Sequence, residues 1–324
     1  MKKSKNWVLF LGLLVLGGTV FFGALSVGAV DLSGGFWKAF TEPGAAQEIL
    51  WRIRLPRVLL GGLVGGLLAG AGCTLQGLLR NPLADPYLLG VSSGAALGSA
   101  VGLLVGIAQP VAAMAGALIA LGAVLFLARG GGTPSATLMI LAGAALHALT
   151  SSLLTFILSQ ARREESVGIL FWLLGSLESP PWGRLVPLLG VGGLVLGALF
   201  LLAPALNLLS LGDDTARSLG LAVARFRWGA VVLCALATGL AVTFNGVIPF
   251  VGLVVPHTAR LLVGFYNRGA LPVSVVMGAM LVVLADALGR SLLAPQEIPV
   301  GVVTALVGAP FFLIILRRER KKLG

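Results

Sequence analysis

The chain has 324 residues, of which 57% are hydrophobic and 11% charged, with a formal net charge of +11 and a mean hydropathy of +1.01. A soluble domain of this size has too little interior to hide so much apolar surface, which excludes an ordinary soluble enzyme and indicates a chain built for a bilayer. The basic balance then reads as membrane topology and contact with anionic lipid, not as nucleic-acid binding.

Stretches of about 20 apolar residues, rising about 1.5 Å per residue, cross a hydrocarbon core of roughly 30 Å. The sequence predicts ten of them, at 7–29, 56–79, 91–107, 111–128, 136–158, 185–206, 228–244, 247–265, 271–287 and 299–316. The expected fold class is an all-α polytopic membrane protein, one domain over 1–324, with broken helices and short helices on the cytoplasmic side. Lys2, Lys3 and Lys5 ahead of the first apolar run, with Gly23-Ala24 or Gly28-Ala29 after it, imitate a cleaved signal peptide. The run is too long for such a core and many spans follow, so it reads as a retained first helix.

The second span opens at Arg54-Leu-Pro-Arg57. Pro56 suits a first helical position, where its missing N–H would have no partner anyway. Arg54 and Arg57, three residues apart, share one side of that helix mouth, and Arg290 ends the ninth span on the same surface. Basic residues on the outer face run against the usual trend and suit an acidic docking partner; headgroup contact is the alternative. The same span carries an amide, Gln76, then breaks at Asn81-Pro82 and Asp85-Pro86. Polar, broken backbone between spans is tolerated only where protein or a watery path surrounds it.

Further along, Trp172–Trp182 lies outside and is a candidate short surface helix. Between spans six and seven, Asp213 or Asp214 is placed to cap a short helix that Gly220 ends as its C′ residue. A second short piece, 221–227, completes a knob on the inner face, about 211–227, suited to a partner. The stretch Phe244–Arg260 carries prolines at 249 and 256, and Ile298-Pro299 opens the tenth span. Gln76-Gly77 and Asn245-Gly246 fall in corresponding places of the two halves, which hints at an inverted repeat.

With the N-terminus inside, Lys2, Lys3, Lys5, Arg80, Arg129, Arg217, Arg225, Arg227, Arg260, Arg268, Arg317, Arg318, Arg320, Lys321 and Lys322 are inner, against eight basic residues outside. That is the direction the positive-inside rule requires, and it predicts a cytoplasmic-membrane protein with both termini cytoplasmic. Cys73, Cys234, His147 and His257 are isolated, so no metal-ligand spacing exists. No P-loop is present, and no nucleophile, base and orienter cluster. The span interiors are nearly free of charged groups: Asp286 lies near an outer end and Arg260 toward an inner end, neither at a midplane. Ion-coupled carriers usually keep such groups near the midplane, although a Na⁺ site of carbonyls and amides stays open. A conduit with neither ion relay nor ATPase points to a partner that supplies the work.

These residues together resemble the FecCD-type permease subunits of ABC importers for iron–siderophore, haem and vitamin B12. The motifs are Arg54-Leu-Pro-Arg57, Gln76 with Arg80-Asn-Pro-Leu-Ala-Asp-Pro86, Leu89-Gly90 with Ser93-Gly94-Ala95, Trp172-x-x-Gly175-Ser176, Ala216-Arg217-x-Leu219-Gly220, Gly246-x-Ile248-x-Phe250-Val-Gly-Leu253 with Pro256-His257-x-x-Arg260, and Pro299-x-Gly301-Val-x-Thr304 with Gly308-x-Pro310.

The resemblance implies a ten-helix subunit that pairs with a second permease subunit, as a homodimer or with a close paralogue, around a path along their interface. It implies cytoplasmic ABC ATPase subunits that bind ATP and grip Asp213, Asp214, Ala216, Arg217, Ser218, Leu219 and Gly220. It also implies an extracytoplasmic substrate-binding protein whose glutamates meet Arg54, Arg57 and Arg290. The permease needs no cofactor and performs no bond chemistry. Gln76, Asn81, Pro82, Asn245, Gly246 and Pro249 are candidate points near the path, with helix contact as the other role for the two amides. An iron–siderophore complex is the expected cargo, with haem or cobalamin as alternatives. An ion-coupled secondary transporter is the competing reading, ahead of an intramembrane enzyme or a scaffold.

Overall fold

A computed structural model describes residues 2–28, 38–128 and 136–323. Ala29 of the imitated cleavage site and Arg129 of the inner basic set lie outside the described residues. The helices are α1 (Lys2–Ser26), α2 (Lys38–Thr41), α3 (Ala45–Glu48), α4 (Leu55–Leu79), α5 (Val91–Val105), α6 (Gln109–Leu127), α7 (Ala136–Gln160), α8 (Arg163–Leu173), α9 (Trp182–Ser210), α10 (Asp213–Ser218), α11 (Val223–Asn245), α12 (Val251–Val263), α13 (Asn267–Ser291) and α14 (Val300–Leu323). A π-helical turn, Ile49–Arg54, precedes α4, and a 3-10 turn, Pro86–Leu89, precedes α5. The described residues contain no strand.

The chain is all-α, and six helical stretches are long and apolar enough to cross a membrane: Ala45–Leu79, α6, Leu138–Gln160, α9, α11 and α13. Four shorter apolar helices, Phe10–Ser26, Val91–Val105, Val251–Val263 and Val300–Ile314, coincide with the first, third, eighth and tenth predicted spans.

Helix α4 is the axis, with 89% of its most apolar window buried, packed by α13, α11, α9 and α12. Its glycines explain the close approach. A methyl group at Gly65 would strike the carbonyl oxygen of Gly278, and one at Gly278 would strike that of Gly65; Gly72 meets the Gly252 carbonyl in the same way. Lipid tails give helices little hydrophobic reason to associate, so close backbone packing over small residues does the work.

Three boundaries differ from the sequence expectation. Pro56 falls in the first turn of α4 as expected, but helical backbone already runs from Ala45 and passes through the wider π-helical turn just before it. A proline N–H deficit is tolerated where the hydrogen-bond pattern is already shifted. The surface helix expected at 172–182 lies earlier, at α8, where the Glu165 carboxylate accepts the Arg162 N–H at 2.9 Å. After Leu173 the chain turns at Gly175, whose φ is 71°, and Pro180-Pro181 keep it out of helix until Trp182. Finally, α12 begins at Val251, four residues late, because Pro249 and a left-handed Phe250 (φ 68°) hold the preceding backbone non-helical.

Candidate functional site

The knob between α9 and α11 is one short helix, α10. Gly212 stands at its N-cap with φ 117° and no side-chain cap, so neither aspartate plays the capping role expected of it. Asp213 reaches back instead, to Arg80 at 2.7 Å and Arg227 at 2.9 Å. Arg80 is the left-handed residue that ends α4, and Arg227 lies in the first turns of α11. One carboxylate therefore ties α10 to two of the long helices.

Gly220 does end α10 as its C′ residue. With φ 88°, its N–H bonds to the Arg217 carbonyl while the Leu221 N–H bonds to that of Ala216, the paired closure of a Schellman motif. The separate second piece expected at 221–227 is corrected: α11 already begins at Val223 and absorbs it. The faces of α10 divide cleanly. Ala216 is buried, whereas Asp214 and Arg217, paired at 3.0 Å, have 98% and 52% of their side chains exposed. Ser218 and Leu219 are exposed beside them.

At the opposite end the three arginines form a cluster around α1 and Asp286. The last carbonyls of a helix have no partner within it; in α1 they are met by side chains from elsewhere. Arg54 donates to the carbonyls of Leu25 and Ser26 at 2.7 and 2.6 Å, and Arg290 to those of Ala24 and Val27 at 3.1 Å each. The cations also complement the negative end of the helix dipole. Arg290 Nε donates to Asp286 Oδ2, and Arg57 Nε to Asp286 Oδ1, both at 2.9 Å. Arg54 and Arg290 are buried, and helix-end carbonyls with one carboxylate account for that. Arg57 alone extends to a half-exposed group, Glu297, at 2.8 Å.

Between these ends, two stretches of broken backbone meet inside the bundle. The Tyr87 hydroxyl donates to the Ile248 carbonyl at 2.9 Å and accepts the Ile248 N–H at 3.1 Å. One side chain thereby satisfies both backbone groups of a residue that has left the helix, as buried backbone demands. Gly252 then packs on Leu68 and Gly72 of α4. Gln76 and Asn245 are both buried. Gln76 Nε2 donates to the Leu253 carbonyl at 3.0 Å, and Asn245 Nδ2 to that of Ala241 at 3.0 Å. Gln76 thus joins α4 to α12, whereas Asn245 bonds within its own helix and its buried Oδ1 has no partner among the described residues. Gly246 is buried and Pro249 half-buried in the same break, while Asn81 and Pro82 lie at the α4 end, with Asn81 Oδ1 accepting the Leu83 N–H. Buried Arg260 bonds the Cys73 carbonyl at 2.8 Å and Asn267 Oδ1 at 3.3 Å.

The Asp85 carboxylate caps the 3-10 turn by accepting the Tyr87 N–H at 2.8 Å. Desolvation raises its pKa to about 6, against a smaller lowering by that bond. An acid with a raised folded-state pKa favours folding most when protonated, and that contribution is lost as pH rises through the folded value. Asp85→Asn keeps an acceptor for Tyr87 and is expected to raise the thermal midpoint at about pH 7.5, with the gain vanishing near about pH 4. A midpoint difference that does not change between the two pH values would refute this.

Sequence reasoning missed Tyr87, Glu297, Asn207 and Asn267. Tyr87 follows a turn signal, Asp85-Pro86, that marked the break but not its partner. The other three carry no local pattern.

Residues 13–318 match the FecCD transport family. The chain belongs to that family. It is a transport subunit without an ATPase site of its own, in keeping with the missing P-loop. Among similar proteins, the cobalamin import permease BtuC of Halobacterium salinarum is 43% identical over 86% of this chain and 76% of its own length. The hemin transport permease HmuU of Yersinia pestis is 40% identical over 97% of each chain. The solved structure of a metal-chelate type ABC transporter in an inward-facing conformation has a TM-score of 0.86 at 32% identity, covering 96% of this FecCD permease and 99% of that chain.

Proposed function

We propose that this FecCD permease moves an iron–siderophore complex across the cytoplasmic membrane as the transmembrane subunit of an ATP-binding-cassette importer. The observation that carries the reading is α10: its outward face, Asp214, Arg217, Ser218 and Leu219, is free for a partner while Asp213 bolts the helix to α4 and α11. A push on that face is delivered to the axis of the bundle. In this reading the six long and four shorter apolar helices are the ten crossings, and the basic bias of the α10 end supports cytoplasmic termini.

In this reading two cytoplasmic ATPase subunits grip α10 and consume ATP. A substrate-binding protein docks at the other end on Arg57, with Arg54 and Arg290 holding the surface beneath it. A second copy of the chain completes the path. Helix α7 is the least buried of the six long apolar stretches, and His147, Ser151, Thr155 and Ser159 follow each other along it at four-residue spacing. Such a stripe suits a wet interface between copies better than lipid, and it offers polar contacts to a bulky chelate. Cobalamin is the second reading, favoured by the 43% identical relative that imports it.

The test is uptake into proteoliposomes holding the permease, its ATPase and its binding protein, with ferric siderophore, haem and cobalamin compared. Uptake of the siderophore is expected to need ATP and to fall by roughly tenfold or more in Arg217→Glu, as charge reversal at an interface should cause. Uptake driven by an ion gradient without the ATPase would overturn the importer reading, and uptake of cobalamin alone would replace the cargo.

A further inference from the structure

At the α10 end of the molecule, a cavity of about 650 Å³ opens between the last turns of α9 and the short link from α12 to α13. Its apolar side is Pro204, Leu208 and Leu211, and its rim is Phe265 and Tyr266, which are 77% and 58% exposed. Arg268, in the first turn of α13, lines the same cavity and makes no ion pair among the described residues.

The decisive group is Asn207, which also lines it. Its Oδ1 accepts two bonds at 2.9 Å, from the backbone N–H and from Nδ2 of buried Asn267. Two donors on one oxygen fix which way the amide faces. Its Nδ2 is buried and has no acceptor among the described residues. A buried donor left unmet is costly, so this position asks for an acceptor. The positive end of the 25-residue helix α13 and the Arg268 guanidinium both favour that acceptor being an anion.

We propose that this cavity binds the phosphate of an anionic phospholipid, which accepts from Asn207 Nδ2 and Arg268 while its acyl chain lies on Leu208 and Leu211. A lipid fits better than a soluble anion because the cavity couples a cationic corner to an apolar wall and an exposed aromatic rim, the pattern of the membrane–water interface. The site adjoins α10 through Leu211, so an occupied cavity would hold the α9–α10 joint.

The experiment is native mass spectrometry of the full chain in detergent, titrated with dioleoyl-phosphatidylglycerol and with dioleoyl-phosphatidylcholine. One phosphatidylglycerol is expected to be retained in preference. Its affinity should fall roughly ten- to a hundredfold, the size of a lost charge-assisted bond, in Arg268→Gln and in Asn207→Asp. The second variant keeps the oxygen that Asn267 needs but turns the unmet donor into a repelling carboxylate, and its thermal midpoint should stay near wild type. Arg225→Gln, an exposed basic residue at the same end, should leave binding unchanged.

Equal retention by all variants would overturn the proposal. So would displacement of the lipid by inorganic phosphate, which would mark a soluble-anion site. Loss of the lipid when the ATPase subunit is added would make the cavity part of that interface instead. None of these readings depends on transport activity.

Discussion

Asp286→Leu is expected to destabilise the protein by about 3–5 kcal/mol, the range for removing one partner of a buried ion pair. The carboxylate is nearly fully buried and is shared by Arg57 Nε and Arg290 Nε at 2.9 Å each. Arg290 is buried as well, and it holds two carbonyls at the end of α1. Removing Asp286 strands a cation in a place from which it can leave only by releasing α1. The variant should therefore unfold at a markedly lower temperature in detergent, and protease should reach the α1 end first. Glu297→Gln gives the contrast, because Glu297 is half-exposed and exposed pairs contribute only about 0–1 kcal/mol. Similar midpoints for the two variants would mean that Asp286 is not the keystone of the cluster.

Gly65→Val and Gly278→Val form the second test. Each places side-chain atoms against the backbone carbonyl of the other glycine, where no rotamer change can make room. Overpacking of this kind costs about 1–3 kcal/mol per site. Here the cost should reach the upper end, since α4 is the axis and must move as a whole. Gly190→Val and Gly197→Val in α9 face open space and should change the thermal midpoint little. The double variant Gly65→Ala/Gly278→Ala should fall short of the sum of the single effects, because once the helices have parted for one methyl the second finds room. Additive losses would mean that the two glycines do not share one crossing.

Much of this architecture is local and was legible in the residues. A membrane-crossing helix is a property of about 20 consecutive side chains, which is why the six long stretches overlap predicted spans. Gly220 as the stop of α10 is equally local, since it acts through the conformation of its own backbone.

The partners of the charged groups were another matter. Arg57 meets Asp286 across 229 residues of sequence, Asp213 meets Arg80 across 133, and Tyr87 meets Ile248 across 161. The residues predicted that Arg54, Arg57 and Arg290 gather at one end of the bundle, but exposed arginines and a buried cluster look the same in sequence. Sequence alone determined the all-α, membrane-spanning class and the family. Only the tertiary structure decided which polar groups are used up inside the protein and which are left for partners. That choice depends on how closely α4 approaches α12 and α13, and glycine contacts between distant segments set that approach.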